Sequence, residues 1–167
     1  DPPATSSAKE YSGSAFSVSN GEVGTSTINI TDTGTITDLN VKVSGTVGSM
    51  QYLVMQLISP YGTIVNLVNK SGSGSQYTLD GTILDDEAST LVGSGTNPFW
   101  GSYKPDGSLS DFDQEEMKDI WTVRIYNTNS NVSITAWSLI IESDNSTAKD
   151  PPATSSAKEY SGSAFSV

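Results

Sequence analysis

The stretch WTVRIYN, residues 121–127, decides the fold class, together with VSITAWSLIIE, residues 132–142. Apolar and polar residues alternate in the first stretch from Trp121 onward, and this period of two is typical of a half-buried strand. In the second stretch the apolar phase slips near Ala136, which predicts a β-bulge or burial on both faces. The link NTNSN consists of turn formers. We therefore expect an antiparallel hairpin in which Trp121 and Trp137 are core residues.

The same period of two recurs in short runs along the rest of the chain. Leu53 and Leu57 mark the core face of one run, and Val41 marks that of another. Ile36 is out of phase with its own run, which predicts a bend near Thr37. Short strands separated by turn signals, without long helical periodicity, favour an all-β fold, an antiparallel β-sandwich of jelly-roll type.

Composition limits the chemistry that this chain can perform. The 167 residues suit one domain with tails, and they include no Cys and no His. Disulfide frameworks, thiol nucleophiles, Ser–His–Asp triads and His-based zinc sites are thereby excluded. The formal net charge of −11 disfavours nucleic acid and anionic membranes as partners, and no apolar run is long enough for direct membrane insertion as a helix. We expect a protein that is not an enzyme.

An internal duplication is the most specific feature of the sequence. The eighteen residues DPPATSSAKEYSGSAFSV occupy positions 1–18 and recur without change at positions 150–167, a shift of 149 residues. A period of this size is a whole domain and far exceeds that of solenoid repeats. We interpret the chain as one unit of a tandem array, with a linker at 1–14, the β-sandwich at 15–144, and a linker plus the start of the next repeat at 145–167. Engineered duplication is the alternative.

The second copy predicts a mode of assembly. Its residues 160–167 should be the first strand of a following module, and an apolar strand requires a partner. Tyr160, Phe165 and Val167 are the candidate assembly residues. They would pack on the sandwich of their own chain or on a neighbouring copy, and the second arrangement repeated head to tail builds a filament.

Six motifs, in this order, resemble the P domain, also called the P/Homo B domain, of proprotein convertases and bacterial subtilisin-like proteases. They are ITDLNVKV (36–43), LVMQLISPYGT (53–63), ILDDEAST (83–90), GSYKPDGSLSDF (101–112), WTVRIYN (121–127) and AWSLIIE (136–142). The resemblance implies a jelly-roll β-sandwich that follows a catalytic domain and is not itself catalytic. Tyr52 and Asn127 stand where members of the family usually carry Asp.

Calcium is the one cofactor that the sequence leaves open. Asp85 and Asp86 match the paired aspartates of the family, and they would either ligate Ca²⁺ or pin a turn by accepting hydrogen bonds from backbone N–H groups. Turn pinning is the interpretation that we favour, because Ca²⁺ requires six to eight oxygen ligands. A second acidic group lacks the spacing of an EF-hand and is expected to be a solvated face; it comprises Asp111, Asp113, Glu115, Glu116 and Asp119.

Three aromatic residues in one loop, Phe99, Trp100 and Tyr103, are candidate ligand-binding residues. Exposed together, they would form a platform for stacking a sugar. Alternatively they fold back over the edge of the sandwich, the arrangement that we favour because Tyr103 belongs to a motif of the P domain.

We expect a non-catalytic structural or adhesive module of a repetitive extracellular or cell-surface protein, such as a stalk, an adhesin or a filament. Its partners would be neighbouring copies of the same protein, with a glycan as a further ligand. Two alternatives remain at this point: an accessory P domain that stabilises a secreted subtilisin-like protease, and a carbohydrate-binding module.

Overall fold

The structure, a computed structural model, describes residues 8–74 and 76–152. This part of the chain contains ten β-strands and three short 3-10 helices, the latter at Met50–Tyr52, Val92–Ser94 and Leu109–Phe112. The strands are β1 (Lys9–Ser12), β2 (Phe16–Val18), β3 (Val23–Ile30), β4 (Thr35–Val47), β5 (Leu53–Ile58), β6 (Ile64–Asn69), β7 (Tyr77–Leu84), β8 (Ser102–Tyr103), β9 (Asp119–Asn127) and β10 (Val132–Asp144).

Two open sheets make up the described part of the molecule. The first has six strands in the order β1-β10-β4-β7-β8, with β2 also paired to β10, and the second has four in the order β3-β9-β5-β6. All strand pairs are antiparallel except β7 with β8. The apolar faces of the two sheets enclose one core, which confirms the predicted all-β sandwich.

The predicted hairpin of residues 121–142 is wrong, because its two arms lie in different sheets. β9 pairs with β3 and β5, whereas β10 pairs with β1, β2 and β4. Asn127, which is fully buried, explains how the chain crosses between the sheets. Its amide donates to the carbonyl of Ser49 at 3.0 Å, and its side-chain oxygen accepts from the N–H groups of Asn129 and Ser130 at 2.9 and 3.0 Å. These bonds turn the backbone away from β9.

Both irregularities that the sequence predicts occur where β10 pairs with β4. The register shifts between Ile134 and Ala136, and it shifts again opposite Thr37. Gly45 lies across from the first shift, where a Cβ would stand 2.1 Å from the carbonyl oxygen of Ser133. The bulge therefore brings two backbones so close that only glycine fits.

The core lies between the sheets, and the five residues expected there are all in it. Trp121, Trp137, Leu53, Leu57 and Val41 are each less than 5% exposed. The indole N–H of Trp121 donates to the carbonyl of Met117 at 2.9 Å, and that of Trp137 donates to the hydroxyl of Ser26 at 2.9 Å. Each buried indole is thus fully hydrogen-bonded, as burial of a polar group requires.

Candidate functional site

The first copy of the duplicated segment forms an edge of the six-stranded sheet. β1 pairs with β10 from Lys9 opposite Ile141 to Ser12 opposite Ser138, and β2 pairs with residues 132–134 of the same strand. The linker predicted for residues 1–14 is therefore wrong in its C-terminal part, which belongs to the sheet. The sequence KEYS carries no apolar periodicity, so this strand arises from its pairing partner and not from a local pattern.

Between β1 and β2 the segment crosses the ring of Trp137. The N–H of Gly13 donates to the carbonyl of Trp137 at 2.8 Å, and a Cβ at Gly13 would stand 2.3 Å from the indole ring. The carbonyl of Ser14 accepts from the hydroxyl of Ser26 at 3.1 Å, and that hydroxyl in turn accepts from the indole of Trp137. Glycine is therefore required where the segment passes over the tryptophan.

Polar side chains fasten the start of the segment. The ammonium group of Lys9 lies 2.6 Å from the carboxylate of Asp32, and the hydroxyl of Tyr11 donates to the same carboxylate at 2.8 Å. The hydrogen bond from Lys9, followed by that from Tyr11, lowers the pKa of Asp32. The hydroxyl of Ser138 donates to the carboxylate of Glu10 at 2.6 Å. Since the Lys9 and Asp32 pair is exposed, it contributes little to stability.

The end of the segment enters the core. Val18 is 2% exposed, and Phe16 packs against the buried cluster. Immediately after β2 a tight turn leads into β3, with the N–H of Glu22 donating to the carbonyl of Ser19 at 2.9 Å. Gly21 at the corner has φ +83°, a conformation that favours glycine, and its N–H donates to the carbonyl of Asn127.

The chain leaves the sandwich at the same end at which it enters. Lys9 opens β1 opposite Ile141, three residues before the end of β10. After β10, the hydroxyl of Thr35 donates to the carbonyl of Ser146. The N–H of Lys149 donates to the carbonyl of Gln114 at 2.8 Å. Residues 145–149 are therefore held against the end of the sandwich at which β4 begins and β10 ends, which we call its base.

The second copy of the segment lies largely outside the described residues. Its candidate assembly residues Tyr160, Phe165 and Val167 fall in the range 153–167, which the structure does not describe.

Asp85 and Asp86 pin a loop at the end of β7. Asp86 accepts from the N–H groups of Leu109 and Ser110 at 2.9 and 2.8 Å, and from the hydroxyl of Ser108 at 3.3 Å. Asp85 accepts from the N–H of Glu87 at 2.8 Å. Over residues 8–74 and 76–152, no group of three or more acidic, His or Cys side chains is arranged to hold a metal ion. The geometry is that of a turn fastened by carboxylates.

At the same end, burial and neighbouring carboxylates raise the pKa of Asp38, Asp113 and Glu87. The pKa of Asp38 is raised first by burial and then by the charge of Asp85. The pKa of Asp113 is raised first by burial and then by the charges of Asp38 and Asp86. A hydrogen bond with Asp85, followed by loss of hydration, raises the pKa of Glu87 to about 6. Burial and the neighbouring negative charges therefore disfavour the charged form of these three carboxylates.

The second acidic group is not the uniform solvated face that we expected. Glu115 is fully buried, and its carboxylate accepts from the hydroxyl of Thr63 at 2.5 Å and lies 3.9 Å from the ammonium of Lys149. Glu116 accepts from the N–H of Gly34 at 2.8 Å. Glu115 therefore ties the base of the sandwich to the departing chain, and Glu116 fastens the turn that precedes β4; sequence spacing revealed neither role.

The three aromatic residues of the loop do not form one exposed platform. Phe99 is 1% exposed, so its candidacy for ligand binding is wrong; it belongs to the core. Tyr103 packs on Phe99 with ring centroids 5.1 Å apart, and Tyr77 meets Phe99 edge-on at 5.4 Å. Trp100 alone is open to solvent, at 66% exposure, with its indole N–H 3.2 Å from the carboxylate of Asp80. Phe99 and Tyr103 therefore fold back over the sandwich as expected, whereas Trp100 does not.

Comparison with known proteins does not assign a family. No protein-family model matches the chain, and no curated protein matches it. Solved structures similar to it include a serine protease of Aeromonas sobria, alone and in complex with the chaperone ORF2. Each aligns at 13% identity and a TM-score of 0.46, over 86% of this chain and 28% of the protease chain. The matched part of this chain thus spans less than a third of the length of the protease chain. In the described ranges, none of the helices has the length and apolar character that a membrane span requires.

Proposed function

We propose that this chain is a non-catalytic structural or adhesive module of a repetitive extracellular or cell-surface protein. One observation carries the proposal. The first copy of the duplicated segment supplies β1 and β2, which pair with β10 and reach the core. What recurs at residue 150 is therefore the opening of a folded unit and not only a linker. A repeated opening strand supports a chain that continues into another module of the same kind.

The polar groups of the molecule support a structural role. The carboxylates of Asp86 and Glu116 accept hydrogen bonds from backbone N–H groups, and Glu115 is bonded inside the base of the sandwich. A catalytic carboxylate must instead face a substrate. With His and Cys absent from the whole sequence, the commonest general base and the thiol nucleophile are absent too.

The gene that encodes the chain tests this proposal. Reading outward in both directions should reveal further units of 149 residues, each opening with the same eighteen. A peptidase and glycosidase panel should detect no turnover by the purified chain. Turnover that survives repurification and is lost on neutralising one carboxylate would contradict a purely structural role.

An accessory P domain of a secreted subtilisin-like protease is the second candidate. The six motifs support it by their order, and Asp86 joins two of them, because it lies in ILDDEAST and accepts from the N–H groups of Leu109 and Ser110 in GSYKPDGSLSDF. A catalytic domain encoded directly before residue 1 would favour this candidate over the array.

A carbohydrate-binding role depends on Trp100, because its ring is the exposed one in the aromatic loop. Glycan-array binding that disappears in Trp100→Ala would support this role. Binding that survives the substitution would exclude the aromatic loop as the glycan site.

A further inference from the structure

We propose that the edge of β10 can seat either copy of the duplicated segment. Residues 150–167 of the same chain occupy this edge when residues 1–18 are displaced from it. This inference deepens the proposed function. It rests on that function only where it concerns an array of modules.

The two copies are identical, so every contact of the first is available to the second. Gly162 would cross the ring of Trp137 as Gly13 does, and Val167 would enter the core where Val18 is 2% exposed. Glu159 would accept from the hydroxyl of Ser138 as Glu10 does. Since the side chains and the seat are the same, the two occupied states differ only in how the segment is connected to the sandwich.

The connection from the end of β10 to the second copy is short and needs only a hairpin turn. β1 is antiparallel to β10 and begins beside the end of β10, so a segment that follows β10 can return alongside it as the arm of a hairpin. Residues 145–157 would form the loop. Lys149 is held at the base of the sandwich, and the nine residues from there to Lys158 can span roughly 30 Å. The second copy can therefore reach the seat without leaving its own molecule.

The first copy holds the seat in the intact chain because its tether is shorter. Only residues 19–22 separate β2 from β3, and the N–H groups of Asn20, Gly21 and Glu22 are all hydrogen-bonded there, to Asn131, Asn127 and Ser19. A short ordered tether gives a higher effective concentration than a long loop. The second copy therefore replaces the first only where the first is weakened or lost.

This arrangement has a consequence for an array. Each module would lie between two identical segments, one before and one after it, and either could complete its sheet.

Four full-length proteins test the proposal: the unaltered chain, Val18→Asp, Val167→Asp, and the double variant. Each substitution places a charge where a valine side chain must enter the core, and thereby disables one copy. Thermal unfolding is followed by circular dichroism, and light scattering gives the mass in solution. We expect Val167→Asp to leave the melting temperature unchanged, Val18→Asp to lower it slightly, and the double variant to lower it by roughly 10 °C. All four proteins should be monomeric.

A second pair of substitutions, Gly13→Val and Gly162→Val, should reproduce this pattern, because each side chain would clash with Trp137. If Val18→Asp lowered the melting temperature as much as the double variant does, the second copy would not be replacing the first, and the proposal would be overturned. Failure of both variants to fold would overturn it as well. If the single variant Val167→Asp lowered the melting temperature as much as Val18→Asp does, the claim that the first copy holds the seat in the intact chain would be overturned. If Val18→Asp formed oligomers in a concentration-dependent manner, the replacing segment would come from another molecule and not from the same chain. None of these results depends on whether the module is a spacer, so the proposed function is tested separately.

Discussion

Replacing Trp121 by alanine is expected to cause one of the largest stability losses available in this chain. The side chain is fully buried, its indole N–H donates to the carbonyl of Met117 at 2.9 Å, and its ring meets Phe112 edge-on at 5.1 Å. The substitution removes the ring from the core, opens a cavity between the sheets and leaves the carbonyl of Met117 without this donor.

The magnitude follows from the burial. A buried aromatic side chain removes about 200 Å² from water, and at about 25 cal/mol per Å² this corresponds to about 5 kcal/mol. Large aromatic residues replaced by alanine in protein cores cost about 3–5 kcal/mol, a range that includes the cavity. We therefore expect Trp121→Ala to lower the free energy of unfolding by about 3–5 kcal/mol.

Urea unfolding, followed by circular dichroism, measures this loss as a shift of the midpoint. The third tryptophan supplies a matched control. Trp100 is 66% exposed, so Trp100→Ala should change the free energy of unfolding by no more than about 0.5 kcal/mol. A loss below about 1 kcal/mol for Trp121→Ala, or equal losses for the two variants, would refute the placement of Trp121 between the sheets.

Three further predictions concern the acidic end of the sandwich. Asp86→Ala removes the acceptor for the N–H groups of Leu109 and Ser110 and should cost about 1–3 kcal/mol in urea unfolding, whereas no loss would mean that water replaces the carboxylate. Because the folded-state pKa of Glu87 is raised to about 6, the folded protein binds its proton more tightly than the unfolded chain, so the melting temperature should rise as pH falls from 7 to 5. Glu87→Gln should flatten that rise, and an unchanged profile would contradict the assignment. We expect calorimetry with Ca²⁺ on chelator-treated protein to show weak binding at most, sensitive to Asp86→Asn; tight binding that is indifferent to this substitution would place the metal elsewhere.

The strand phases and the core tryptophans could be predicted from the sequence because side chains alternate between the faces of a strand. The same pattern located the bulge beside Ala136 and the bend at Thr37. It does not record which strands pair. The link NTNSN would suit a hairpin or a crossing between sheets, and the buried hydrogen bonds of Asn127 select the crossing.

Burial within polar or aromatic runs could not be predicted in the same way. Phe99 and Trp100 are neighbours in one loop, yet one lies in the core and the other faces solvent, because only Phe99 meets Tyr77 and Tyr103. Glu115 belongs to an acidic run and is nevertheless fully buried beside Thr63. Such outcomes depend on contacts between distant parts of the chain.

The strand formed by KEYS begins two residues earlier than the first strand expected at residues 11–18, because Lys9 and Glu10 were assigned to the linker alone. Its side chains are mostly exposed, and no local pattern marks it as part of a sheet. The duplication was the signal that could have located it, because a conspicuous apolar end, FSV, recurs together with KEYS in an unchanged segment.

Amide hydrogen exchange on residues 1–149, which contain one copy of the segment, tests most directly whether that copy is an integral part of the module. We predict that the N–H of Gly13, which donates to the carbonyl of Trp137 at 2.8 Å, exchanges as slowly as amides of β10 and in the same cooperative opening. Exchange of residues 9–18 at the rate of an unstructured peptide, while β10 stays protected, would contradict the account.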